Sequence, residues 1–328
     1  MKIDKTKIKR ILLITLTNIG DIVLTTPVVS ALNREFPDAE LDVMVGPGGK
    51  DIFKKHAMVS RVVIYDKLIP MREKMRLIRR LRRERYDLVV DLKNTLFPIL
   101  IGSRYRTSFV QPAQRRCVHK RDFHLSKLKF LGIDGKDAPF SIQVSAEERD
   151  YIDGLLQDVP KGEGFVVMSP SAKSLIKRWK KEGFATLADR LARELGFSII
   201  MIGDKSDAGL ISDIIGRMES KPLNFAGLTN IPQLAYLLQN ARLIITNDSA
   251  PMHVGCAAGA DVLAIFGPTD PRKYGPLGSN DRIIRRELEC SPCEAAQCKR
   301  RHECMDMITV DEVAAAAKDM LLRGKTHD

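Results

Sequence analysis

The stretch LIITNDSAPMHVGCAAGADVLAIFGP, residues 243–268, decides the fold. Its apolar start, Leu243–Ile245, reads as the end of a buried strand, and Thr246–Asp248 as a polar turn at that strand's carboxyl end. Asp248 or Ser249 suits a helix N-cap, and Pro251 suits the first helical turn, where its missing N–H has no partner to lose. Small residues carry the helix through Met252–Ala258, and Gly259 ends it. Val262–Phe266 is a second buried strand, with Gly267-Pro268-Thr269-Asp270-Pro271 as its exit loop. Two strand exits and one helix N-terminus therefore meet at the carboxyl edge of a parallel sheet, where open α/β sheets bind ligands. The bare N–H groups of the helix end favour an anion such as a diphosphate, and His253 in the first turn can point at it.

The same strand-then-helix unit recurs along the chain. Lys9–Leu16 is a first buried strand, with the continuous apolar run of a parallel sheet. Thr17–Asp21 is its turn, and the stripe Ile22, Val23, Thr26, Val29, Leu32, Phe36 predicts one helix over Ile22–Phe36. Glu40–Val45, Val62–Tyr65 and Tyr86–Leu92 are further strands, and Val144–Val159 is a helix. The Pro- and Gly-rich segment 158–164 reads as a linker. A second buried strand-first half begins at Gly164–Met168, with Ser198–Ile202 as its next strand. We therefore expect an α/β protein of two domains, 1–158 and 159–328. A closing helix, Thr309–Leu322, opens with a capping box, Thr309 and Glu312.

Composition narrows the partners. The 53 Lys and Arg against 41 Asp and Glu leave a formal charge of +12, which favours an anionic partner. Aromatics are only 6% of the chain and are not interleaved with the basic residues, so nucleic acid is the weakest of the anionic candidates. The segment Met71–Arg85 is a basic amphipathic helix, with Met71, Met75, Ile78 and Leu81 on one face and seven arginines elsewhere. It reads either as a solvated helix face or as a contact with an anionic membrane or head group. A second basic cluster, Arg104, Arg106, Arg115, Arg116, Lys120 and Arg121, falls where regular structure breaks at Gln111-Pro112, and loops carry sites. No apolar run is long enough to span a bilayer, and the apolar run after the basic N-terminus is too short for a signal peptide, so we expect a cytoplasmic protein. The six cysteines are too few for a secreted disulfide scaffold. Cys290, Cys293, Cys298 and Cys304 have the spacing C-x2-C-x4-C-x5-C, which admits zinc or another metal. Only one C-x2-C knuckle is present, so a structural cluster of thiols or disulfides is the leading reading, and no cofactor is expected.

Two motifs point to one family. Asn247-Asp248-Ser249-Ala250-Pro251-Met252-His253, followed by Phe266-Gly267-Pro268-Thr269-Asp270-Pro271, resembles the donor-site motif of the lipopolysaccharide heptosyltransferases, glycosyltransferase family 9. The commoner family form has Thr-Gly where this chain has Ser249-Ala250. Ile19-Gly20-Asp21-Ile22-Val23-Leu24-Thr25-Thr26-Pro27 is similar to the family's N-terminal motif, in the expected order along the chain.

The resemblance implies a GT-B fold of two facing Rossmann-like domains. It implies that Asp21 is the catalytic base, which must accept a proton from a sugar hydroxyl as that oxygen attacks. Gly20 beside it lets an acceptor approach the backbone. It implies an acceptor site in the N-terminal domain, to which the basic cluster at 104–121 would contribute. The C-terminal domain would hold an ADP-heptose donor, contacted by Lys177, Asp204, Asp248, Ser249, Ala250, His253, Gly267, Pro268 and Thr269, and more loosely by Ser169 and Ser171. Trp179 reads as a packing residue and Asp204 equally as a helix N-cap. The implied partners are the nucleotide sugar, a lipid A–core acceptor and the cytoplasmic face of an anionic inner membrane. Two other readings stay open: a family-9 transferase with another nucleotide sugar or acceptor, and a non-catalytic nucleotide-sugar-binding protein. Absence of Gly-x-Gly-x-x-Gly argues against a dehydrogenase.

Overall fold

The computed structural model describes residues 4–15, 17–107, 118–160 and 162–323. The chain separates into two compact units, Met1–Gln143 and Val144–Asp328. The expected boundary at Asp158 lies later, because helix Ala146–Leu156 belongs to the second unit. Tyr151 Oη donates to Leu228 O at 3.0 Å and Tyr236 Oη to Asp153 at 3.3 Å, which ties that helix to helix Ile231–Gln239 and the loop before it.

In the first unit the described strands are β1 (Arg10–Ile14), β2 (Glu40–Val45), β3 (Arg61–Ile64), β4 (Leu88–Asp91) and β5 (Tyr105–Arg106). They form one sheet in the order β3-β2-β1-β4-β5, and every described pairing is parallel. Leu12 pairs with Asp42 on one side and Val89 on the other, so β1 is central. That position buries Leu12 and Leu13 on both faces and explains the unbroken apolar run. From β1 the chain winds first toward β2 and β3, then returns to the other side for β4 and β5. The strand order therefore reverses between β1 and β4.

The single helix expected over Ile22–Phe36 is two: Ile19–Val23 and Thr26–Glu35. Pro27 sits in the first turn of the second helix, having no N–H to continue the first. Thr25 Oγ1 donates to Ile22 O and closes the break.

The second unit has β6 (Phe165–Ser169), β7 (Ser198–Met201), β8 (Leu223–Asn224), β9 (Leu243–Asn247), β10 (Val262–Phe266) and β11 (Arg282–Arg285). Their order is β11-β10-β9-β6-β7-β8, again parallel in every described pairing. Here the order reverses between β6 and β9. Helix Lys181–Leu195 and the closing helix Val310–Arg323 pack their apolar faces into one core with β6, β7 and β9, through Phe184, Leu191, Val313 and Ala317. Glu312 accepts from Thr309 N and Oγ1 and Glu312 N returns a bond to Thr309 Oγ1, the expected capping box. Trp179 is 2% exposed, lies edge-on to Phe184 and donates Nε1–H to Ile308 O, so it packs this core as expected. No helix among the described residues is long and apolar enough to cross a membrane.

Candidate active site

In the second unit the carboxyl ends of β6, β9 and β10 lie side by side at the point where strand order reverses. Ser169 ends β6, Asp248 follows β9, and Gly267–Thr269 follow β10. Helix Ala250–Ala258 starts at the same edge with Ser249 as N-cap and ends at Gly259, whose φ of 76° suits glycine. A helix N-terminus suits an anion, and here Met252 N already donates to Ser249 O at 3.2 Å.

One carboxylate organises the edge. Asp248 is 6% exposed, and its Oδ2 accepts from Lys177 Nζ at 2.7 Å and from Thr269 Oγ1 at 2.5 Å. A buried carboxylate repels a diphosphate. What Asp248 does in the structure is hold the Lys177 ammonium and the Thr269 loop in place. Lys177 keeps 28% of its side chain exposed, and its Nζ stands 5.9 Å from the centre of the Tyr274 ring. Asn247, fully buried and not singled out in the sequence, is the second tie. Its Oδ1 accepts from Trp179 N at 3.0 Å and its Nδ2 donates to Pro170 O at 2.8 Å. Asp248 and Asn247 thus join the β9 exit to the β10 exit, the β6 exit and the segment carrying Lys177.

The remaining donor candidates divide by exposure. His253 is buried in the first turn of its helix, and Ser249 Oγ lies 3.2 Å from Thr246 Oγ1 rather than capping the helix with its side chain. Ala250 and Ser171 are partly exposed. Ser169 is fully buried, so its hydroxyl is packed inside the sheet edge, and Ser171 is the serine of the two with exposed surface. Gly267 and Pro268 are buried. A Cβ at Gly267 would meet Met305 and come within 3.1 Å of Cys304 Sγ, so glycine is required there by the residues behind the loop. Asp204 is exposed and Oδ1 accepts from Ser206 N and Oγ in a short capped turn, as the N-cap reading expects.

In the first unit Asp21 lies in helix Ile19–Val23 directly after β1, half-exposed, with Oδ2 accepting from Asn18 Nδ2 at 3.2 Å. Gly20 precedes it in the same helix. A hollow of about 230 Å³ opens at the exits of β1, β2 and β4, lined by Thr15, Thr17, Gly46, Tyr65, Lys93 and Thr95 among others. Burial, with Lys67 nearby, holds the Lys93 ammonium below the usual lysine pKa. Behind it Asp91 is buried and accepts from Lys93 N, Thr95 N and Thr95 Oγ1. Lys127, 3% exposed, donates Nζ to Asp91 O, Leu92 O and Asn94 Oδ1 and so braces the β4 exit. Nothing in the local sequence singles out Lys127, because these three hydrogen-bond acceptors lie more than 30 residues away.

Of the basic cluster, Arg104 and Arg106 are exposed on either side of Tyr105, with the Arg104 guanidinium 5.3 Å from the Tyr105 ring centre. Lys120 and Arg121 open helix Lys120–Ser126, where Arg121 Nε donates to Asp122 at 2.9 Å. Arg115 and Arg116 lie outside the described residues. The described cysteines, Cys256, Cys290, Cys293, Cys298 and Cys304, are free thiols in this structure.

Two doubly wound parallel sheets, with an anion-binding edge where the second reverses, define the GT-B class of fold. Residues 74–303 match the profile of glycosyltransferase family 9 (heptosyltransferase). Lipopolysaccharide heptosyltransferase 3 of Escherichia coli (strain K12) is 27% identical over 334 residues, covering 92% of this chain and 95% of that protein. The fold is shared with the family 9 glycosyl transferase from Veillonella parvula DSM 2008, at a TM-score of 0.83 and 23% identity over 96% of this chain and 97% of that one. It is also shared with E. coli ADP-heptose lps heptosyltransferase II, at a TM-score of 0.77 and 22% identity over 96% of this chain and 99% of that one. The chain belongs to glycosyltransferase family 9 and is a glycosyltransferase.

Proposed function

We propose that this enzyme transfers heptose from ADP-heptose to an anionic inner-core lipopolysaccharide acceptor, with inversion at the anomeric carbon. The observation that carries this reading is the anion-binding edge of the second unit, where Lys177 is fixed by Asp248 beside the N-terminus of helix Ala250–Ala258. Lys177, His253, Thr269 and the first-turn N–H groups receive the diphosphate. Charge grows on the leaving oxygen in the transition state, so donors already in place lower the barrier. Asp21 takes the proton from the attacking acceptor hydroxyl, and the half-exposed carboxylate beside Gly20 has the reach for it. Asp204 receives the ribose hydroxyls, and Arg104, Arg106, Lys120 and Arg121 contribute positive charge for the acceptor. Sugar and acceptor assignments are supported by the names of the relatives, which are lipopolysaccharide heptosyltransferases.

The enzyme would work as a peripheral protein on the cytoplasmic face of an anionic inner membrane. Helix Met71–Arg83 turns Leu77, Ile78 and Leu81 to the core, yet Met71 and neighbouring Leu68 are 69% and 80% exposed. Exposed Arg72, Arg76, Arg79 and Arg80 share the helix. Bare apolar side chains beside a basic face match a bilayer surface of negative charge.

The test is transfer from ADP-heptose to heptose-deficient core lipopolysaccharide, with the product anomer read by NMR, and calorimetric titration with ADP and UDP. Transfer with inversion and selective ADP binding are expected. A preference for UDP would move the donor assignment to another sugar. Retention of the donor's anomeric configuration would remove the base role of Asp21.

A further inference from the structure

We propose that the hollow at the exits of β1, β2 and β4 is a subsite for one oxyanion, a carboxylate or phosphate group of the acceptor, with the Lys93 ammonium and the Thr17 hydroxyl as its donors. The acceptor part of this assignment rests on the transfer reading above. The hollow lies where the strand order of the first sheet reverses, the crevice in which open α/β sheets take ligands. Its volume of about 230 Å³ is below the roughly 300 Å³ at which pockets begin to enclose a whole small molecule, so it takes a single group.

Lys93 is held in place from several sides. Its backbone N–H donates to Asp91 Oδ1 at 2.8 Å, and its Nζ stands 6.0 Å from the centre of the Tyr65 ring. That ring is fixed in turn, edge-on to Phe97 with centroids 5.1 Å apart. Asn94, the next residue, has φ 58°, a left-handed conformation that asparagine tolerates better than most side chains. Lys127 Nζ donates to its Oδ1 at 2.8 Å and fixes that conformation. The β4 exit is therefore a braced loop that keeps one ammonium at the hollow. Among the described residues no group accepts a hydrogen bond from Lys93 Nζ and no carboxylate forms an ion pair with it. Asp91, the carboxylate of this loop, already accepts from Lys93 N, Thr95 N and Thr95 Oγ1. Burial first, and the Lys67 ammonium second, hold Lys93 below the usual lysine pKa. Both penalties fall on the charged form, and an anion in the hollow relieves them where an uncharged sugar hydroxyl does not. Three threonines line the hollow. Thr15 is buried, and Thr95 gives its one hydroxyl proton to Asp91. That leaves Thr17, which is partly exposed, to donate. Thr17 stands in the turn that leads from β1 to helix Ile19–Val23, which carries Asp21. An oxyanion held there anchors the acceptor at the same strand exit as the proposed base.

The first readout needs no turnover. In the full-length protein with isotope-labelled dimethyl-lysines, the Lys93 methyl signal is assigned by its loss in Lys93→Arg. It should shift on titration with inorganic phosphate or acetate and saturate in the millimolar range. A shift no larger than that of the exposed lysines overturns the subsite, whatever the donor and acceptor prove to be. The second readout is transfer to heptose-deficient core lipopolysaccharide. Lys93→Met should raise the acceptor KM about 10–100-fold, the loss of one hydrogen bond to a charged group, with a much smaller fall in kcat and no change in ADP affinity. Lys93→Arg, which keeps the charge, should recover most of that loss. Acceptor stripped of phosphate, and acceptor with its carboxylates amidated, tell the two sources apart. The treatment that abolishes the difference between wild type and Lys93→Met identifies the group bound. An acceptor KM unchanged in Lys93→Met, or a difference that survives both treatments, overturns the acceptor assignment. No transfer at all, with the Lys93 signal still responding to phosphate or acetate, refutes the transfer reading and leaves the anion subsite standing.

Discussion

Replacing Asp248 by Asn keeps the shape of the side chain and removes its charge. The bond from Thr269 Oγ1 at 2.5 Å would fall from the charge-assisted class to the neutral one, and the bond from Lys177 Nζ at 2.7 Å would keep its charged donor but lose the ion-pair attraction. Bonds to charged groups contribute about 1.5–3 kcal/mol and neutral ones about 0.5–1.5, so the Thr269 bond loses about 1 kcal/mol, and with a like loss of attraction at Lys177 the total is about 2. Lys177, at 28% exposure, can turn toward water, which holds the loss near that figure rather than the 3–5 kcal/mol of a broken fully buried pair. For a unit of this size each kcal/mol shifts Tm by about 2–4 °C, so the variant should melt roughly 4–8 °C lower. A cycle with Lys177→Met separates the pair from everything else. Lys177→Met alone strands a buried carboxylate, and the double variant removes that penalty, so the coupling should be about 1–2 kcal/mol. ADP affinity should fall about tenfold in Asp248→Asn, because the ammonium loses its fixed position. A coupling within about 0.3 kcal/mol of zero, the ordinary limit of additivity, would refute the anchoring argument.

Other outcomes follow from the same residues. Asp21→Ala should lower transfer by about 10²–10⁴-fold while leaving ADP binding near normal, and a variant that keeps half of its turnover would exclude Asp21 as base. His124 is buried with no hydrogen-bond partner on either ring nitrogen, and burial together with Lys127, Lys120 and His119 pushes its pKa from 6.5 to about 3. The folded state thus favours neutral imidazole, so the stability it confers is present above pH 6.5 and lost as the pH falls toward 3. Between pH 7 and pH 5 that loss is about 2 kcal/mol, and urea titrations should show it flattened in His124→Leu. Glu312 is held near 2 by Arg286 and by Thr309, but more than a third of its side chain is open to solvent, so Glu312→Gln should have only a small effect, seen below pH 4.5. Exchanging Arg72, Arg76 and Arg79 for Gln should weaken sedimentation with anionic vesicles by about 100-fold, at about 1 kcal/mol per charge, and leave zwitterionic vesicles unaffected.

Much of this was legible in the sequence. The central strands are buried on both faces, so Leu12, Leu13, Ile244 and Ile245 appear as unbroken apolar runs, and the exit loops follow from them. Gly259 and Gly196 marked helix ends because both adopt positive φ. Failures have separate causes. The stripe Ile22, Val29, Leu32, Phe36 stays in helical phase across Pro27, so periodicity concealed the break that the proline makes. Tyr105–Arg106 and Leu223–Asn224 are two-residue edge strands, defined by their partners rather than by their own residues. Asn247 and Lys127 act through bonds to distant backbone, and an amide or ammonium carries no local sign of such a role. Ser169 showed the opposite error: a hydroxyl at a strand exit was expected to face a ligand and is sealed inside.

The turn at Asp204 has a practical consequence. It is closed by its own residues, with Ser206 N donating to Asp204 and Asp204 N to Asp207, whereas the edge proposed to face the phosphates is locked by Asp248 and Asn247. In the proposed donor site the two supports meet at Arg178, next to Lys177; the Arg178 guanidinium lies 3.8 Å from Asp207. On the proposed reading, an engineer seeking a different nucleotide sugar would rebuild Asp204 to Ser206 and keep Asp207, whose pairing with Arg178 reaches the segment that carries Lys177.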